Sequence, residues 1–250
     1  MVARMAHFDG TLTWVGHGTF LLETDGQRIL IDAFVDSCPT TPDTLKGDGL
    51  GPLDLILLTH GHLDHVADVA TIQRRTGARV AGMVEMIDYY NRRGILPEDR
   101  LVDFSKGGTI TSGPVSITMV DARHSSSMAD GTYAGEPAGF VIRTGNGFTL
   151  YCSGDTTVFG DMSMIGDMGI DLAVLCIGGH YTMGPELAAT AVQLLRAPYV
   201  VGGHFGTFPP LTGTPQALAE QLHRRSIDAT VRVLAPGERL TGADLTKGAS

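Results

Sequence analysis

The sequence predicts an α/β protein (α+β in some schemes) built as a four-layer αββα sandwich, with two mixed sheets face to face and helices on both outer faces. Three observations predict it. The chain opens with a β-meander. Strand–helix units follow. The same order, meander first and strand–helix units after, then recurs in the second half, without a sequence repeat between the halves. No linker, low-complexity tract or charge block divides the 250 residues, so one domain over residues 1–250 is expected.

The meander consists of Thr11–Val15, Thr19–Thr24 and Arg28–Asp32, with Asp25-Gly26 as the hairpin turn. A polar loop with Pro and Gly runs from Val35 to Gly51, long enough for a lid or a substrate-facing loop. The run Leu53–Thr59 is short and nearly all apolar, the pattern of a buried strand. A helical period begins at Val66 and ends near Gly77. Arg79–Gly82 is a short strand, and Val84–Arg93 is a helix stopped by Gly94. In the second half Val115–Val120 alternates as a strand, and Gly139–Thr144 and Phe148–Cys152 flank the turn Gly145-Asn146-Gly147. A Met-rich helix spans about Met162–Met168, its spacing suited to packing on the sheet. Asp171–Ile177 is a buried strand, Pro185–Leu195 a helix with Pro in its first turn, Tyr199–Gly203 a strand, and Pro215–Arg225 a helix. Thr230–Leu234 is the last strand before a polar tail.

The chemistry concentrates in His60-Gly61-His62-Leu63-Asp64-His65, at the turn from the buried strand into the helix. Loops at strand ends are where a rigid sheet presents reactive groups. Imidazole and carboxylate together suit zinc, iron or manganese better than calcium or magnesium. Neighbouring side chains diverge, so the six residues cannot all reach one ion. Alternate residues His60 and His62 can share one metal, and Asp64-His65 is free to hold a second. The spacing therefore predicts two metals a few ångströms apart. Four more polar residues each end a hydrophobic strand: Asp32, His124, Asp155 and His204.

Composition excludes several classes. A net charge of −9 opposes a nucleic-acid partner, since phosphate contacts need clustered Lys and Arg. A small-molecule substrate is expected instead. The three cysteines, Cys38, Cys152 and Cys176, are far apart and form no Cys-x-x-Cys, which fits buried thiols in a reducing cytoplasm. Met1–His7 has no apolar signal core, and no stretch is long enough to span a bilayer, so a cytoplasmic protein without a membrane partner is expected. An edge strand or outer helix could pair two copies, which leaves a homo-oligomer open.

His-x-His-x-Asp-His after a hydrophobic strand resembles the signature of the metallo-β-lactamase superfamily. The resemblance implies the αββα fold and later ligands in the order His, Asp, His, matched here by His124, Asp155 in Ser153-Gly154-Asp155-Thr156, and His204. On that match His60, His62 and His124 hold one metal, Asp64, His65 and His204 the other, and Asp155 bridges them. Two metals about 3.5–4 Å apart share a water and lower its pKa, and the bridging hydroxide is the nucleophile of a hydrolase. Asp64 both ligates and moves a proton. Redox members place an acid where His62 stands, so histidine there favours hydrolysis. The cofactors are two divalent ions, zinc first, with manganese or iron as alternatives. Further segments sharpen the resemblance: Gly16-His17-Gly18-Thr19-Phe20, His124–Ser127, Gly135–Phe140, Gly178–Pro185 and His204–Pro209. Together they are similar to metal-dependent hydrolases related to the ascorbate-6-phosphate lactonases and, more distantly, to the N-acyl-phosphatidylethanolamine phospholipases D. The match runs from about Leu12 to Gly237.

Asp32 has two readings, a turn cap or an acceptor for a ligand histidine's second ring N–H; the family carries an aspartate here and favours the second. Ala33 follows it where Pro is usual. His17 and His180 lie in glycine-flanked turns at strand ends, as partly exposed loop histidines or as pocket residues and general acids. Phe34, Met128, Tyr133, Tyr181, Phe205 and Phe208 sit in loops beside the ligands and are candidates to line a partly apolar substrate pocket, although core packing is the commoner fate of Phe and Met. The leading function is hydrolysis of a small ester, lactone or amide. The alternatives are a phosphodiesterase on a small or lipid-like substrate and a non-catalytic metal-binding sensor.

Overall fold

A computed structural model of the chain describes residues 6–246. Residues 1–5, part of the stretch read above for an export signal, and 247–250, the end of the predicted tail, lie outside the described residues. In chain order the first half holds β1 (Thr11–Gly16), β2 (Thr19–Thr24), β3 (Gln27–Ile31), β4 (Leu55–Leu57), α1 (Leu63–Val66), α2 (Val69–Thr76), β5 (Arg79–Met83), α3 (Val84–Arg92) and β6 (Leu101–Phe104). The second half holds β7 (Thr109–Ser112), β8 (Val115–Asp121), β9 (Ala138–Arg143), β10 (Thr149–Cys152), α4 (Met162–Gly166), β11 (Leu172–Cys176), α5 (Pro185–Leu195), β12 (Tyr199–Gly203), α6 (Pro215–Arg224), β13 (Thr230–Arg232) and β14 (Arg239–Thr241). They form two seven-stranded mixed sheets, ordered β14-β1-β2-β3-β4-β5-β6 and β13-β12-β11-β10-β9-β8-β7.

Each sheet is antiparallel where its meander lies and parallel where helices make the crossovers, as short turns and helical connections require. Side-chain alternation then sorts the core into layers. Ile29, Ile31, Ile117, Met119 and Val201 face inward between the sheets. Leu30, Ile56 and Val80 face outward under α2 and α3. Tyr151, Ala173, Leu175 and Val200 lie under α4, α5 and α6. The predicted αββα sandwich is the observed architecture. The hairpin turn at Asp25-Gly26 has φ of 52° and 72°, the left-handed pair that a two-residue hairpin demands.

Six expectations are corrected. β6, β7 and β14 were not foreseen, because they are short and two of them are mostly polar or half-exposed. The polar tail is not merely a tail: β14 pairs antiparallel with β1, and it and the 3-10 turn after it bury Leu240 and Leu245 between the sheets. The strand expected to reach Leu234 ends at Arg232. The helix expected from Val66 begins at Leu63 and breaks before Val69, where Asp68 turns its carboxylate to Val35 N (2.7 Å), Ser37 N (2.9 Å) and Ser37 Oγ (2.6 Å). Those bonds, with Asp36 on Gly47 N and Arg28 on Leu50 O, pin the loop after β3 against the outer layer, so it is no free lid. In α4, Met162 is buried but Met164 is exposed, so the Met spacing does not form one packing face.

Candidate metal centre

β1 runs antiparallel to β2 and β2 to β3, so β1, β3 and β4 end at the same edge of the first sheet. By the same reckoning β8, β10, β11 and β12 end together in the second. Every polar residue singled out above follows one of these strands. His17 follows β1, Asp32 follows β3, and His60 to His65 follow β4 and enter α1. His124 follows β8, Asp155 follows β10 and His204 follows β12. His17, Asp32 and His204 also have φ of 51°, 59° and 57°, a conformation that L-residues rarely adopt and that clusters at functional sites.

The first group is His60, His62 and His124. His62 Nδ1 lies 3.0 Å from His60 Nε2 and 3.3 Å from His124 Nε2. The Thr59 hydroxyl gives its one hydrogen to Asp32 Oδ2 (2.8 Å) and so accepts from His60 Nδ1 (3.0 Å). That leaves a lone pair on His60 Nε2, aimed at the other two rings. Gly61 lets this turn pass behind the loop of Ser127: a Cβ there would stand 2.5 Å from Ala134 Cβ and 2.9 Å from Met128 Sδ.

The second group gathers Asp64, His65, His204 and His17, and Asp155 joins it to the first. Asp155 Oδ2 is 3.0 Å from His204 Nε2, 3.4 Å from His65 Nε2 and 3.7 Å from His124 Nε2, so one oxygen stands between both groups. Buried Asp32 accepts from His65 Nδ1 (2.7 Å) and from Thr59 N (2.8 Å), which fixes the ring and turns Nε2 inward. Asp64 Oδ2 lies 3.0 Å from His17 Nε2 and 3.8 Å from His204 Nε2. At Gly18 a Cβ would sit 2.7 Å from His65 Cε1, so only glycine lets the β1–β2 turn close on that ring.

Electrostatics divide the groups. Burial, then repulsion from His65, pushes His60 well below the usual imidazole range, and burial also lowers His62 and His124. Burial lowers His17 to about 4. Burial opposes the charged form of His65 and His204 too, but Asp155 outweighs it, holding His65 well up and His204 at about 9. Asp155 and Asp64 stay well below the usual carboxylate range, where imidazoles overcome their burial.

The residues fit a divalent transition metal. Three imidazoles, each lowered by burial, bring one nitrogen apiece to a common point, where a cation can accept all three lone pairs. Bonds of ~2.0–2.1 Å to a tetrahedral ion set neighbouring donors ~3.3 Å apart, close to the first group's spacing. In the second group His65 Nε2 and His204 Nε2 are buried and lie 3.4 and 3.0 Å from Asp155 Oδ2 without a well-directed hydrogen bond, a deficit that a ligated cation removes. Nitrogen and oxygen donors together match zinc, manganese or iron.

The remaining candidates scatter. His17 is buried, not a partly exposed loop residue. His180 is exposed on the loop after β11, its ring 4.4 Å from Tyr181 and outside both groups; Met183 N, bonded to Thr156 O (3.1 Å), ties this loop to that of Asp155. Phe34 is buried with its edge on His17, and Phe208, 36% exposed, packs 5.4 Å from the same ring. Tyr133 and Tyr181 are exposed. Met128 packs behind Gly61 in the outer core, and half-buried Phe205 lies against Trp14 (ring centroids 4.8 Å apart), beside a groove it shares with Trp14 and Thr40. Thr59, Ser126 and Thr156 were not foreseen. Ser126 Oγ accepts from Gly61 N and Thr156 Oγ1 from Arg123 N, and each buttresses a ligand loop. Only their position beside ligands could have marked them.

Fold and centre together define a metal-dependent hydrolase of the metallo-β-lactamase type, and comparison with known proteins agrees. A model of the beta-lactamase superfamily domain matches residues 27–205. A UPF0173 metal-dependent hydrolase of Chloroflexus aurantiacus is 45% identical over 236 residues, covering 92% of this chain and 97% of that protein. One from Methanosarcina mazei is 38% identical, covering 93% and 98%. Among solved structures, Igni18, a metallo hydrolase from Ignicoccus hospitalis, superposes with a TM-score of 0.81 at 34% identity, covering 92% of this chain and 97% of its own. An isothiocyanate hydrolase from Delia radicum gut bacteria, with a TM-score of 0.70 at 19% identity over 92% of this chain and 98% of its own, shares the fold. The chain belongs to the beta-lactamase superfamily and, within it, to the UPF0173 metal-dependent hydrolases. Among the described residues no helix is long and apolar enough to cross a membrane.

Proposed function

We propose that this hydrolase works with two metal ions, zinc first and manganese or iron as alternatives, on a small ester, lactone or amide. The observation that carries the reading is Asp155 Oδ2, within 3.7 Å of one group's nitrogen and 3.4 Å or less of the other's. His60, His62 and His124 would hold one ion, and Asp64, His65 and His204 the other, with Asp155 shared. When bound, such a pair supplies an activated water and Lewis acidity toward a substrate oxygen.

The chain's own groups do the rest. Asp32 keeps the proton of His65 on Nδ1, and Thr59 keeps that of His60 on Nδ1. Asp64 is the ligand carboxylate open to solvent, 34% exposed against 4% for Asp155, which suits it to pass a proton to a leaving group. A groove of about 560 Å³, lined by Lys106, Asp121, Arg123, Glu136 and Pro137, borders His124 and offers room for the polar part of a substrate. Phe208, Tyr133 and Tyr181 would form an apolar rim, and His180 a general acid on the outer loop. In the second reading, a phosphodiester substrate, Arg123 of that groove, now paired with Asp121 and Asp161, would be the cation that meets the phosphate.

The protein would act as one cytoplasmic domain without nucleic-acid or membrane partners, and its three buried thiols suit a reducing compartment. A panel of ester, lactone, amide, β-lactam and phosphodiester substrates tests the reading on protein loaded with zinc, manganese or iron. Turnover of an ester, lactone or amide, lost on chelation and restored by metal, is expected. No turnover on any member with metal bound would overturn it in favour of a metal-binding sensor.

A further inference from the structure

We propose that His17 is the positioning residue of Asp64, an imidazole whose Nε2–H holds the carboxylate in its metal-facing orientation. The proposal rests on the metal-centre reading above and assigns a role to a residue outside its ligand set. His17 is fully buried. Among the described residues its side-chain hydrogen-bond partner is Asp64 Oδ2, at 3.0 Å, and its Nδ1 has none. An ionised carboxylate can only accept, so the ring hydrogen sits on Nε2. A nitrogen carrying that hydrogen cannot also ligate a metal.

The turn that carries His17 is built to hold it still. Its φ of 51° is a left-handed conformation that surrounding bonds must enforce. They do: the His17 carbonyl accepts from Trp14 Nε1 at 2.9 Å and from His204 N at 2.8 Å. The ring lies 3.9 Å from that of His204, with Phe34 and Phe208 in T-shaped contact at 5.7 and 5.4 Å. One rigid turn thus touches two residues of the second group, His204 through backbone and ring and Asp64 through the side chain. Asp64 needs such a strut. It projects from the first turn of the short α1, and the ring nitrogens of His204 and His65 stand farther from its carboxylate, at 3.8 Å and within 4.8 Å. Without His17 the carboxylate is free to rotate toward solvent.

The test is a calorimetric titration of zinc into metal-free parent, His17→Gln and His17→Leu, repeated in an Asp64→Ala background, with zinc content confirmed by elemental analysis. Gln presents an N–H near the position of Nε2; Leu presents none. Leu is expected to weaken the second zinc ~10–100-fold, the usual effect of losing an outer partner of a ligand, with the first zinc unchanged and Gln close to the parent. In the Asp64→Ala background, Leu is expected to add nothing, since the interaction is already gone. Equal losses in Gln and Leu would make His17 a direct ligand and overturn the proposal. An undiminished loss in the Asp64→Ala background would trace it to the fold and overturn it as well. A parent that takes up no second zinc overturns the dinuclear reading, and this proposal falls with it.

Discussion

At the scale of the residue, the site is a set of proton positions fixed by neighbours. Thr59 and Asp32 place the hydrogens of His60 and His65 on Nδ1, away from the centre. Around Asp155 the metal-free protein uses protons in place of a cation, with His204 lifted to about 9 and His65 raised as well. Metal loading near pH 7 must therefore expel protons. Calorimetry in buffers of different ionisation enthalpy should give a heat that scales with that enthalpy, and the slope should shrink as the pH passes about 9. Identical heats in all buffers would contradict it. The sign for stability follows. A raised histidine stabilises the metal-free fold fully below its unfolded pKa of ~6.5, and that contribution is lost as pH rises through the folded value. The metal-free melting temperature should then fall between about pH 6.5 and 9, through the folded value of His204. That these histidines and aspartates would gather was legible in the sequence, because chemistry limits what can hold a metal. His17 was legible as a candidate pocket histidine, but its burial and its bond to Asp64, 47 residues away, were not, because they exist only once β1 and β4 end side by side.

At the scale of the element, strands with continuous apolar runs or clear alternation were legible, β4 and β8 among them. The short edge strands β6 and β7 were not, because partners rather than composition make them strands. The break between α1 and α2 was hidden for a similar reason. Asp68 looks like a helical surface residue until the loop after β3 brings Val35 and Ser37 to it. Hydrogen bonds to a buried charge contribute ~1.5–3 kcal/mol. Asp68→Ala removes three of them and leaves two backbone N–H groups without a partner. It should cost about 2–4 kcal/mol in urea unfolding with an unchanged slope and unchanged metal content. A shift below ~0.5 kcal/mol, typical of an open surface site, would contradict the pinned loop.

At the scale of the whole molecule, two halves of like strand order present the strand ends that carry the candidate ligands at a common edge. The first sheet supplies His60, His62, Asp64 and His65, and the second His124, Asp155 and His204. Neither half holds the complete set, so folding assembles the centre and metal binding should stabilise the pairing of the sheets. The element order made the sandwich legible. The closure of the first sheet by β14 was not, since Arg239-Leu240-Thr241 carries no strand pattern of its own.

The central claim is a metal pair shared through Asp155. Elemental analysis of protein purified without added metal tests it most directly, beside Asp155→Ala and His62→Ala. The account predicts close to two equivalents in the parent and clear loss in both variants. A content near zero or one equivalent, unchanged in the variants, would contradict it and leave Asp155 without its bridging role.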